Sequence, residues 1–233
     1  MTEISKTKKY IQALAFFLFI VGLPMGSWYY LQAGFDYNKE LMSELQNYGR
    51  IPAFTLVNQD GDTLTREDVA EKVMVIDFFN TGKDSYSKTM DYLRRFSAQF
   101  HDRNDLVFVS HALQSSSLSI SDLKAIIVKE ELGSNQNEFL KGSNEELIKI
   151  LSEAYQIPDI ENRAADKTIP RKADISNLPE EYPYFILVDD SGTIRNYYNI
   201  YDEESITRLV EHLAIILPRK SEEKAILKRE TEK

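Results

Sequence analysis

The chain has 233 residues, a net charge of −9 from 37 acidic and 28 basic side chains, and no cysteine. An acidic balance argues against a nucleic-acid partner, whose phosphates need a basic face. The absent cysteine excludes disulfides, thiolate catalysis, iron–sulfur clusters and thiolate zinc sites together, and the length suits one domain of about 150–200 residues with appendages.

Lys6, Lys8 and Lys9 precede a stretch, 10–35, without a charged side chain. Within it, 11–30 is nearly all apolar and long enough to cross a hydrocarbon layer of about 30 Å as a helix. Tyr10 stands at one end and Trp28, Tyr29 and Tyr30 at the other, as interfacial aromatics do. Pro24 and Gly26 are tolerable inside a membrane helix. With the lysines before the span, and Asp36 and Glu40 after it, the positive-inside rule predicts a cytoplasmic tail at 1–9, a transmembrane anchor at 10–33 and an exported remainder. The competing reading is a cleaved signal peptide. Its apolar region would be too long, and Ala33-Gly34 is its only small-residue site.

Residues 34–50 read as a polar connector, helical in part. Two short alternating runs around Asp60-Gly61 predict a β-hairpin. Thr65 is placed to cap a short segment at 66–70. The apolar run 72–79 predicts a central strand covered on both faces. Asp84 or Ser85 can cap a helix over 85–100, with Met90, Leu93, Phe96 and Phe100 at helical spacing. A second buried strand is expected at 106–110. A helix should run from Ser119 or Ser121 to about 132, and another from Ser143 or Asn144 to 155, burying Leu147, Ile148, Leu151 and Tyr155. Residues 158–180 lack periodicity and read as an irregular loop. A strand at 184–188, a turn at Asp190-Ser191-Gly192, a strand at 193–198 and a helix at 203–217 close the domain, with a charged tail at 218–233. Strands alternating with helices imply an α/β mixed sheet with helices on both faces and an amino-terminal β-hairpin.

The junction Val75-Ile76-Asp77-Phe78-Phe79-Asn80-Thr81, together with the hairpin stretch 54–61, resembles the Sco/SenC family of membrane-anchored, thioredoxin-like copper proteins. Val107-Phe108-Val109-Ser110 is similar to the family's next strand. The stretch 139–147 with Ala154-Tyr155 is similar to its inserted helix, and Leu187-Val188-Asp189-Asp190-Ser191-Gly192 to its closing hairpin. The resemblance spans about 50–217 and implies a thioredoxin-like domain over 51–217, copper delivery and cytochrome c oxidase assembly. The family's copper site is a Cys-x-x-x-Cys pair with one distant histidine, two thiolates and an imidazole that suit a soft ion. Aligned on these motifs, the cysteine positions hold Lys83 and Ser87, and the histidine position holds Glu181. The expectation is therefore an extracytoplasmic accessory to oxidase assembly that is not an enzyme and has no cofactor. The other reading is a non-catalytic thioredoxin-fold module for peptide or protein partners.

The candidate contact groove is Lys83, Ser87, Glu181, Tyr182 and Pro183. Glu180-Glu181 stands where it can face Lys83 in an ion pair, and Tyr182-Pro183 matches the position at which thioredoxin-fold proteins place a cis proline. His101 is read as capping the first core helix and His212 as a packing or solvated residue. His111, after a buried strand, is with Met90 a weak metal candidate. Asp189-Asp190 are read as turn residues.

Overall fold

A computed structural model of the chain describes residues 6–114, 117–133, 136–153 and 178–217. The readings at Ala154-Tyr155, 158–177 and 218–233 lie outside the described residues. The chain divides into two units, Met1–Glu44 and Leu45–Lys233.

The first unit is helical over its described residues. Helix α1 (Lys6–Phe17) runs through a π-helical turn (Leu18–Gly22) into α2 (Leu23–Glu44). At the turn the Leu23 N–H bonds back to the Leu18 carbonyl. The widening sits one turn before Pro24, whose ring nitrogen cannot donate to the carbonyl four residues back. The helix is long and apolar enough to cross a membrane over Lys8–Glu44, and its aromatic side chains are exposed, Phe19 and Trp28 among them. The connector expected at 34–50 is helical as far as Glu44. Its charges, Lys39 and Glu40 among them, sit comfortably on a solvated helix, and Gln32 donates to Asp36 across one turn at 3.3 Å.

The second unit is built on a five-stranded sheet in the order β5-β4-β3-β6-β7, beside a separate hairpin of β1 (Thr55–Val57) and β2 (Thr63–Thr65). Strand β3 (Val73–Phe79) is central and buried at all seven positions. It pairs in parallel with β4 (Leu106–Ala112), which pairs in parallel with β5 (Asn137–Leu140). On its other side it pairs antiparallel with β6 (Tyr182–Val188), and β6 with β7 (Ile194–Asn199). One face of the sheet packs on α3 (Asp84–Gln99), α4 (Ile120–Lys129) and α6 (Glu203–Ile216) through residues such as Leu93, Leu123 and Leu209. The other face packs on α5 (Asn144–Glu153) and the hairpin through Ile150, Leu151, Phe54 and Leu56. This is the thioredoxin-like arrangement expected from the sequence, helices on both faces included.

Three local expectations are corrected. The stretch 139–147, read as the start of an inserted helix, is split between β5 and α5. Ser143 marks the break, its Oγ accepting from the Glu146 N–H at 3.2 Å while its own N–H donates to Glu146 Oε2 at 2.9 Å. Neither Asp84 nor Ser85 caps α3; the N-cap position is Lys83, whose side chain makes no capping bond to the helix. Thr65 donates rather than accepts, its Oγ1 reaching Asp68 Oδ2 at 2.7 Å. Ser119 does cap α4, in a reciprocal pair with Asp122.

Both edges of the sheet are covered. Along β7, residues 46–51 run as an extended strip: Tyr48 N–H donates to the Ile194 carbonyl at 3.0 Å and Ile194 N–H to that of Gly49 at 2.8 Å. Gly49 takes φ +106° there, which a side chain would strain. Along β5, Val57 and Lys141 exchange both backbone bonds. The buried Gln59 side chain does the rest, its Oε1 accepting from Phe139 N–H at 2.8 Å and its Nε2 donating to the Asn137 carbonyl at 3.4 Å.

Candidate functional site

Strands β3 and β4 end at the same edge of the sheet, where open α/β sheets place their ligands. The turn from β3 into α3 is organised by Asn80, which is 5% exposed. Its Oδ1 accepts from the Gly82 N–H at 2.9 Å, and its backbone carbonyl from the Lys83 N–H at 3.1 Å. Its Nδ2 donates across the mouth to the Glu180 carbonyl at 2.9 Å, tying the approach to β6 onto the start of α3. Sequence reasoning passed over this residue, although an Asn two positions before a turn Gly is the mark of a side-chain-closed turn.

Lys83 sits half-buried at the head of α3 and pairs with Glu180. Of the Glu180-Glu181 pair it is thus the first that meets the lysine. The hydrogen bond and charge of Glu180 raise the Lys83 amine above its ordinary range, with smaller help from the charges of Glu181 and Asp84. Lys83 in turn holds the Glu180 carboxyl below its usual range. Glu181 turns the other way, its Oε1 accepting from the Tyr201 hydroxyl at 2.7 Å. Lys88 lies over the Tyr201 ring at 5.2 Å from its centre. Ser87 is exposed, one turn along α3 from Lys83.

Tyr182 and Pro183 are buried at the start of β6, and the peptide bond between them is trans. They form the floor beneath the mouth, with the Tyr182 ring 5.1 Å from Phe78. His111 lies within β4 rather than after it, fully buried and stacked on Phe78 at 4.8 Å. Burial pushes its imidazole down to about 3, so the ring is neutral. Met90 belongs to the core on the α3 side, whereas the ring on which His111 stacks belongs to the α5 side. The sheet stands between them, so His111 and Met90 are not brought together. His101 donates from Nδ1 to the Ala98 carbonyl at 3.0 Å, closing the end of α3 as expected. His212 is wholly buried, its Nδ1 2.7 Å from the Tyr198 hydroxyl. Asp189 organises its turn through Ser191 and Thr193, each backbone N–H donating to Oδ1 at 3.0 Å.

A buried carboxyl lies behind the mouth. Asp77, 1% exposed in the centre of β3, accepts from Ser110 Oγ at 2.6 Å through Oδ2, while its Oδ1 has no hydrogen-bond partner among the described residues. Burial raises this carboxyl to about 7, against a smaller opposing effect of the Ser110 bond.

Beside the mouth a groove of about 480 Å³ opens between the ends of β3 and β4, the start of α5 and the approach to β6. Asn80, Leu113, Gln114, Asn144, Leu178 and Glu180 line most of it.

No protein-family model matches the chain, and neither does any curated protein. Solved structures do match. A SCO1/SenC family lipoprotein from Bacillus anthracis superimposes with a TM-score of 0.57 at 19% identity, covering 72% of this chain and 95% of that one. The soluble domain of Sco1 from Bacillus subtilis gives 0.51 at 19% identity, with 75% and 97% covered. Copper-bound yeast Sco1 gives 0.51 at 16%, with 75% and 96% covered. Identities this low establish a shared fold: the second unit has the thioredoxin-like fold of the Sco/SenC structures.

The positions that the resemblance assigns to copper ligands do not fit a cuprous ion. Lysine must lose a proton before it can donate an electron pair, and Glu180 makes that loss harder. Ser87 offers a hard hydroxyl, and the Glu181 carboxylate suits hard cations.

Proposed function

We propose that the chain is a Sco/SenC-type protein, fixed in the cytoplasmic membrane by its amino-terminal helix with the second unit on the extracytoplasmic side. There it serves cytochrome c oxidase assembly by contact rather than by its own thiol or copper chemistry. The carrying observation is the Lys83–Glu180 pair. It occupies the head of α3, where the resemblance puts the first thiolate, within a fold shared over nearly the whole length of solved Sco/SenC domains. An ion pair on an Asn80-closed turn shapes a surface but transfers neither electrons nor a soft metal. On this reading the protein is not an enzyme. Lys83, Ser87 and Glu181 form part of its contact surface, over a floor of Tyr182 and Pro183.

The test is affinity purification of the full chain from native membranes beside a control carrying the helical unit alone. Oxidase assembly components should be enriched by the full chain and reduced by Lys83→Glu. Equal recovery with the control overturns the assignment to oxidase assembly. The second reading, a thioredoxin-fold binding module unconnected with respiration, draws its support from the groove beside the mouth. It predicts partners outside the respiratory chain in the same experiment.

A further inference from the structure

A hollow of about 210 Å³ lies at the other end of β3 from the mouth, beside Met74. Its lining comes from the edge strip at 50–51, the stretch 66–70, Met74 and the β6–β7 turn at 190–192, all within the described residues. Each of these pieces is tied down. The Ile51 N–H donates to the Gly192 carbonyl at 3.0 Å, which fixes the strip to the turn. Asp189 holds the turn itself, as described above. Ahead of 66–70, Asp68 Oδ2 accepts from the Thr65 N–H at 2.8 Å and from its hydroxyl at 2.7 Å. The hollow is therefore formed before any ligand arrives, as small-molecule sites usually are.

Four charged side chains line it, Arg50, Arg66, Glu67 and Asp190. Two of them answer each other: Arg66 Nη2 stands 3.0 Å from Glu67 Oε1. The other two, Arg50 and Asp190, are exposed and make no side-chain hydrogen bond or ion pair among the described residues. Their backbones are neighbours, since Arg50 is bridged to Thr193 just past the turn that carries Asp190. A cation and an anion thus line one small hollow without closing on each other.

An anion placed there would pair with Arg50 and meet Asp190, and a cation would meet the reverse. A neutral molecule would draw on neither charge. A small zwitterion answers both: its carboxylate accepts from the guanidinium fork, and its ammonium donates to the Asp190 carboxylate. Ile51 and Met74, each 2% exposed, supply apolar surface beside these charges. The volume falls below the about 300–1,000 Å³ of sites for larger ligands, which suits a molecule of amino-acid size.

From this arrangement we propose that the hollow binds a free amino acid with a short apolar side chain, held by the Arg50 guanidinium and the Asp190 carboxylate. The site is separate from the mouth, and its occupancy does not depend on a role in oxidase assembly.

The test uses the full chain, labelled with ¹³C at its methionine methyls, in nanodiscs of phosphatidylglycerol, a lipid without an ammonium group. It is titrated with alanine, valine and leucine. The Met74 methyl signal, assigned through Met74→Leu, should shift saturably, whereas that of Met90, on the other face of the sheet, should stay in place. Parallel arms carry the same amino acids as amides, which lack the anion, as N-acetyl derivatives, which lack the cation, and phosphoethanolamine. Either block should weaken binding by about tenfold. Arg50→Gln should weaken the free amino acid to the level of its amide, and Asp190→Asn to the level of its N-acetyl form. Both side chains are exposed, so both variants should keep the wild-type denaturation midpoint; if one does not fold, the blocked ligands on the wild-type chain decide by themselves. No saturable shift at Met74, equal binding of free and blocked forms, preference for phosphoethanolamine, or binding indifferent to both substitutions overturns the proposal.

Discussion

Asp77 and Glu180 are two carboxyl groups held on either side of Asn80, one three residues behind it in β3 and the other joined to it across the mouth. Asp77 is sealed in the sheet, and its carboxyl is raised to about 7 by burial. Glu180 is open to solvent, and its carboxyl is lowered by Lys83. The same functional group thus answers to desolvation in one place and to a charge in the other. Burial should govern stability, whereas the exposed ion pair should govern recognition and matter little to folding, since pairs in water contribute little.

The largest expected effect lies in the interior. The unfolded chain titrates Asp77 near 3.8 and the folded one near 7, so the folded state holds the proton more tightly. Stability contributed by this group is full below about 4 and is lost as pH rises towards about 7, by a total on the order of 4 kcal/mol. Denaturant midpoints of the full chain in mild detergent should fall across that window, and Asp77→Asn should flatten the profile. A wild-type profile that is already flat would mean that the carboxyl is solvated.

Next comes Gly142, between β5 and α5. A Cβ there would clash with Leu56 Cδ2, which is itself buried, and stand 3.0 Å from Glu146 Oε2. Gly142→Ala should cost about 1–3 kcal/mol by overpacking, read from the same denaturation curves. Asn80→Ala should cost a similar or smaller amount, about 1–2 kcal/mol, by leaving the Gly82 N–H and the Glu180 carbonyl without their partner. Faster hydrogen exchange at Gly82 would localise the loss. The smallest effect belongs to Lys83→Met, which should leave the denaturation midpoint within error of wild type while changing partner recovery. A loss matching that of Asn80→Ala would show that the ion pair, not the amide, holds the mouth closed, and the distinction between interior and surface would fail.

Most of the architecture was legible because its signals are local. The run from Val73 to Phe79 is apolar without a break, as a strand buried on both sides must be, and α3 and α6 write their buried faces at helical spacing. Strand β5 was not legible, because it has four residues, two of them Asn137 and Glu138, and its pairing comes from β4 and from Gln59 about eighty positions away. At the mouth, the neighbourhood of Lys83 and the Glu180-Glu181 pair could be read from the sequence. Which glutamate meets the lysine could not, because adjacent residues entering a strand face opposite ways, and the bond from Asn80 to the Glu180 carbonyl decides between them. The separation of His111 from Met90 by the sheet likewise depends on which way β4 alternates.

Gln59 carries one last consequence. A sheet margin with unanswered amides invites a passing strand, and proteins crowded together at high concentration are the ones most exposed to that invitation. Here a single glutamine, reaching across the end of a hairpin, answers the Phe139 amide and the Asn137 carbonyl as a neighbouring backbone would. The sheet therefore terminates itself on that side, and copies of this chain can gather without zipping into a common ribbon.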